Sequence, residues 1–119
     1  FTVDGEFVRV FGAAGNSPGN FTRPKGIAMD HDGHIYVVDA AFQNVQIFHP
    51  DGGALMYFGM PGVEEDSINM PTVVKIDYDS VAYFEQYFSP DFDVEYLVLV
   101  ASQFGANKVA VFGFGQPRE

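Results

Sequence analysis

"RPKGIAMDHDGHIYVVDAAFQNVQIF" (residues 23–48) places two short apolar runs on either side of "DHDG" and a third after "AFQN". Asp, Asn and Gly close tight turns, and Asp-Gly in particular joins the strands of a hairpin. In "HIYVVDA" the residues Ile35, Tyr36, Val37 and Val38 are consecutive, as a strand buried on both faces requires, and "GIAMD" ahead of it is a short apolar strand. "NVQIF" alternates, with Val45 and Ile47 out of phase with Gln46. "ALMYFG" (residues 54–59) follows the turn "HPDGG" and supplies a fourth strand. Four short strands joined by turns describe one antiparallel up-and-down sheet.

The stretch has a second copy. Asp4 and Asp51, Phe11 and Phe58, Pro24 and Pro71, Asp30 and Asp77, and Asp32 and Asp79 are each 47 residues apart. A repeat of roughly 20–50 residues marks an architecture in which each unit covers its neighbour's apolar face. The expectation is an all-β fold, a partial β-propeller of four-stranded antiparallel blades. Residues 1–12 are the last strand region of a preceding blade and residues 13–59 a complete blade with its linker. Residues 60–119 form a final blade of three strands, near residues 73–77, 95–101 and 109–114. On this reading the chain is the C-terminal segment of a longer propeller, with the remaining blades in the same or another chain.

The copies part company after Asp79. Residues 80–94, "SVAYFEQYFSPDFDV", have no counterpart in the first copy. Asp79 or Ser80 caps a short helix, Val81, Phe84 and Phe88 give it an apolar stripe, and Ser89-Pro90-Asp91 ends it. A segment so rich in aromatic residues packs over the sheet or presents a partner-binding knob.

Net charge is −10, with 16 acidic residues against 6 basic ones. The basic residues are scattered, so the clustered Lys and Arg that nucleic acids require are missing. Acidic residues gather in the second half, where Glu64, Glu65 and Asp66 precede the second copy. With Tyr83, Phe84, Tyr87 and Phe88 they are the candidate partner-binding residues, suited to a basic protein. No apolar run reaches the length of a membrane span. The chain has no cysteine, which removes thiolate catalysis, Cys-based zinc and c-type haem attachment. The serines lie in no nucleophile-elbow pattern, and "GAAGNSPGNF" lacks the Lys-Ser/Thr of a phosphate loop.

Residues 21–48 resemble the NHL repeat, with Phe21, Pro24, Gly26, Ile27, Asp30, Gly33, Tyr36, Asp39, Asn44, Val45 and Phe48 in place. In the second copy Pro71, Val74, Asp77, Val109 and Phe112 match, while the counterparts of Gly33 and Asp39 do not. The resemblance implies a six-bladed propeller. The insertion, together with "YLVLVASQFGANKVAVFGFG", is similar to exported bacterial NHL proteins associated with multihaem c-type cytochromes. That implies an extracellular or periplasmic scaffold accessory to an electron-transfer complex, with a protein partner and no cofactor of its own. The alternative is part of a propeller enzyme, a metal-dependent lyase or hydrolase with its site on the axis.

"DHDGH" is read as a turn, because Gly33 interrupts any alternating series of oxygen ligands and no acid follows before Asp39. Asp30 is expected to hold backbone amides at the strand end. His31, His34 and His49 flank turns and show no ligand spacing, so no metal and no catalytic residue is assigned. Asp39 and Asn44 are expected to brace the loop after the second strand. Arg23 and Lys25 precede the innermost strand, and these four are the candidate ligand residues at a channel mouth.

Overall fold

Runs of β-branched and aromatic residues, cut at Asp, Gly and Pro, form strands throughout. The computed structural model describes residues 10, 12, 20–59, 68–103 and 108–118. Strands β1 (Pro24–Met29), β2 (Ile35–Asp39), β3 (Asn44–Phe48) and β4 (Ala54–Phe58) make one antiparallel sheet in that order. Strands β5 (Pro71–Asp77), β6 (Phe92–Ser102) and β7 (Val109–Pro117) make a second, three-stranded sheet. Between β5 and β6 lie one helical turn, α1 (Val81–Phe84), and a 3₁₀ turn at Glu85–Tyr87. The fold is therefore all-β with one short helix. The expected strand at residues 1–12 and the acids Glu64, Glu65 and Asp66 lie outside the described residues.

The sheets pack face to face. Tyr36, Val38, Val45 and Ile47 of the first bury against Val74, Val98, Val100 and Ala110 of the second, with Ala28, Phe58, Ile76, Phe112 and Phe114 around them. Register accounts for this choice. Ala28 pairs with Tyr36 and Tyr36 with Ile47, while Val74 pairs with Val100 and Val100 with Ala110, so each set lies on one face of its sheet. Gly26 allows β1 to approach β5: a Cβ there would stand 2.7 Å from the Thr72 carbonyl oxygen.

Three sequence expectations are revised. β3 alternates in direction, with Val45 and Ile47 in the core and Gln46 on the other face, but not in burial, because Gln46 is covered as well and its Nε2 donates to the Asn20 carbonyl. β6 begins at Phe92, inside the segment read as insertion. Ser80 stands at the cap position of α1 without a side-chain capping hydrogen bond. The acceptor is Asp77, whose Oδ1 takes the amides of Asp79 and Ser80 at 2.7 and 2.9 Å. The same carboxylate is hydrogen-bonded to the Ser80 side chain, so Asp77 organises the chain as it enters α1.

The insertion folds back on the second sheet. Val81, Phe84 and Phe88 are half-buried, whereas Ala82, Tyr83 and Glu85–Tyr87 are exposed. The Phe88 ring lies over Gly113, where a Cβ would stand only 2.8 Å from it. Gly113 pairs with the fully buried Leu97, so the ring covers the end of the sheet face turned away from the core.

Candidate functional site

Polar side chains concentrate at the two turns that follow β1 and β5, where the sheets meet. Asp30 directly follows β1, and its Oδ1 accepts the backbone amides of Asp32 and His34, both at 2.9 Å. Gly33, at φ +87°, closes this turn, with its amide donating to the Asp30 carbonyl. Asp30 Oδ2 accepts the Tyr36 hydroxyl at 2.9 Å, and His34 Nδ1 lies 3.2 Å from the same oxygen. The Tyr36 hydroxyl is also hydrogen-bonded to the Tyr96 hydroxyl across the sheet interface.

These contacts set the electrostatics. Burial pushes the Asp30 carboxyl up, but hydrogen bonds from Tyr36, His34 and Asp32 outweigh it, and its pKa lies below the usual 3.8. Burial, then the hydrogen bonds with Tyr96 and Asp30, hold the Tyr36 phenol above its usual 10.0. Burial also raises Tyr96, against the hydrogen bond from Tyr36. Asp77 is lowered mainly by its hydrogen bonds with Ser80.

Asp30, Asp32 and His34 each offer one potential ligand atom within 4.8 Å of the others. Both Asp30 oxygens are engaged by the protein, so a cation would compete with the hydrogen bonds that shape the turn. Close by, the His31 and Tyr78 rings stack at 3.5 Å and 5°, and the His31 amide donates to the Tyr78 hydroxyl at 2.9 Å. These two residues are equivalents in the repeat, 47 positions apart. They border a cleft of about 370 Å³ lined also by Lys75, Asp77, Asp79 and Ser80.

The four residues proposed for a channel mouth separate into two kinds. Asp39 is fully buried, and its carboxylate accepts the amides of Thr22, Arg23, Ala41 and Phe42. Asn44 sits beside it in register, with an Oδ1 that is buried and has no hydrogen-bond partner. Arg23 and Lys25 are exposed, and Lys25 borders a shallow apolar depression with Pro24, Ile27 and Val37. Asp39 and Asn44 thus lie under the loop, while the two cations lie on the surface.

One residue was missed in the sequence. Ser102 pairs with Pro71 as Asp39 pairs with Pro24, and its Oγ accepts the Asn69 amide as Asp39 accepts that of Thr22. It is therefore the structural counterpart of Asp39. The spacing conceals it, because the insertion displaces everything after Asp79 from the 47-residue register. The length of the apolar run before it, ending at Ala101, was the available signal.

At the knob, the Tyr83 and Phe84 rings meet edge to face at 5.0 Å, and Tyr87 lies 6.3 Å from Phe84. Arg118 Nη2 reaches Glu85 Oε1 at 3.3 Å, and its amide donates to the Asp91 carbonyl. Among the described residues no helix is long and apolar enough to cross a membrane.

No family model matches the chain. Among curated proteins it is similar to E3 ubiquitin-protein ligase TRIM71 of Bos taurus and of Gallus gallus, each 40% identical over 42 residues. That segment is 35% of this chain and 5% of either relative, so the chain spans a small part of the length of the relatives it matches.

Proposed function

We propose that the chain builds successive blades of an NHL-type β-propeller, and that the propeller is a non-catalytic scaffold for protein binding. The observation that carries this reading is a mismatch in burial between equivalent residues. Val74, 5% exposed, and Ile76 pack against the first sheet. Their counterparts 47 residues earlier, Ile27 and Met29, are 68% and 62% exposed on the opposite face of that sheet. At the far side the relation is reversed. Register makes Val109 the counterpart of Val45, which is fully buried, yet Val109 is exposed. Each sheet has one face that covers a neighbour and one that receives a neighbour. Such a contact repeats head to tail, and closes into a ring when the rotation allows. The resemblance of residues 21–48 to the NHL repeat agrees with this reading.

The scaffold role is supported by what the polar groups do. Asp30, Asp39, Asp77 and Ser102 are occupied in holding backbone amides. An exported location and a multihaem cytochrome partner rest on the family resemblance alone.

The test is the double substitution Ile27→Asp with Met29→Asp in the intact protein. If a further sheet covers these side chains, two carboxylates at the interface cost about 3–6 kcal/mol in chemical denaturation. A change within about 0.5 kcal/mol, as for ordinary surface positions, would refute the stacking.

A further inference from the structure

Most of the apolar surface just described is accounted for by stacking, but the knob of residues 80–94 is not, because the first copy of the repeat has nothing in its place. Tyr83 and Tyr87 are 64% and 68% exposed, yet they are held in place. Both rings rest on the half-buried Phe84, Phe88 is seated on Gly113, and the Arg118–Glu85 pair ties the knob to the end of β7. Two tyrosines held outward on a braced turn lose little conformational entropy when they are covered.

Their surroundings specify what covers them. Asp79, Glu85, Asp91, Asp93 and Glu95 are exposed in and beside the knob. Among the described residues, Lys75 lines the cleft with Asp77 and Asp79, and Arg118 is paired with Glu85. Ser80, the cap residue of α1, also lines the cleft with His31, Asp77 and Asp79, so the knob runs on into an acidic, aromatic-walled recess. Exposed tyrosines in a segment that also carries exposed carboxylates suit the guanidinium group, which stacks on aromatic rings while its forked N–H groups bind carboxylate oxygens. Lysine can satisfy the charge but does not stack in the same way.

We propose that the knob binds an arginine-rich segment of a partner protein, with Tyr83 and Tyr87 as stacking platforms and the neighbouring carboxylates as charge partners. This rests on the scaffold reading. The test is a fluorescence-anisotropy titration of the full chain against a labelled peptide of alternating Arg and Gly and its Lys-for-Arg counterpart. The Arg peptide is expected to bind roughly three- to thirtyfold more tightly than the Lys peptide. Tyr83→Ala with Tyr87→Ala should weaken the Arg peptide about tenfold, leave the Lys peptide nearly unchanged and preserve the melting temperature, since both side chains are exposed. Equal affinity for the two peptides, indifference to the tyrosine substitutions, or no binding would each overturn the proposal. The titration and the Ile27/Met29 substitution report separately. A failed titration alongside a destabilised Ile27→Asp, Met29→Asp protein overturns the knob alone, and a neutral double substitution with peptide bound overturns the propeller alone.

Discussion

Asp30 and Asp77 occupy the same place in two sheets and do the same local work, yet the chain leaves them differently. Each stands at the end of the first strand of its sheet and accepts the amide two residues ahead. After Asp30 the chain reverses through Gly33 and returns at once as β2. After Asp77 it departs into the knob and returns only at Phe92. The carboxylate that starts the turn is therefore separable from the turn that follows. What fixes the return is the residue that closes it, Gly33 in one sheet and the aromatic anchor on Gly113 in the other. The copy that keeps the tight turn is structural, and the copy that loses it gains an outward surface.

A second pair shows the same division between shared position and different strength. Asp39 gathers four amides in a fully buried site, whereas Ser102 at the equivalent place accepts one. Asp39→Ala leaves several donors without an acceptor and should cost about 3 kcal/mol or more in urea denaturation. Ser102→Ala should cost about 1 kcal/mol. Equal costs would mean that the two positions are not doing graded versions of one task.

Smaller effects come from titration. A carboxyl whose folded pKa lies below its unfolded value stabilises the fold fully above that unfolded value, and the contribution is lost as pH falls through the folded one. Asp30 is lowered, so stability should hold above the usual 3.8 and decline below it. Asp30→Asn should be less stable than the parent near neutrality and flatter across the acid limb of a melting-temperature profile. Asp77→Asn should flatten it less, because Asp77 is only half-buried and Asp30 is buried. Identical flattening by both would erase the contrast between the two turns.

Much of the first sheet was legible in the sequence because its signals are local. Asp-Gly marks a turn, and a consecutive run such as Ile35–Val38 marks a strand covered on both sides. The 47-residue echo then located β5. Its reach ended at Asp79, since an insertion breaks any argument from fixed spacing, and so Ser102 went unseen. The Tyr36–Tyr96 hydroxyl pair joins residues 60 positions apart, and the His31–Tyr78 stack joins sheets. Such contacts depend on how the sheets face each other, which no local pattern encodes. Gln46 was misjudged for a related reason: its partner, the Asn20 carbonyl, comes from an earlier part of the chain.

The central claim is that the first sheet's outer face receives another sheet, as the second sheet's equivalent residues meet the first. These 119 residues contain no cysteine, so a thiol placed at one of their positions is the one among them that reacts. Ile27→Cys, Val74→Cys and Tyr83→Cys in the intact protein should be compared for their rates of reaction with a maleimide. The account predicts that the thiols at positions 27 and 74 are both strongly protected while the one at 83 reacts rapidly. A thiol at position 27 that reacts as fast as the one at 83 would contradict it.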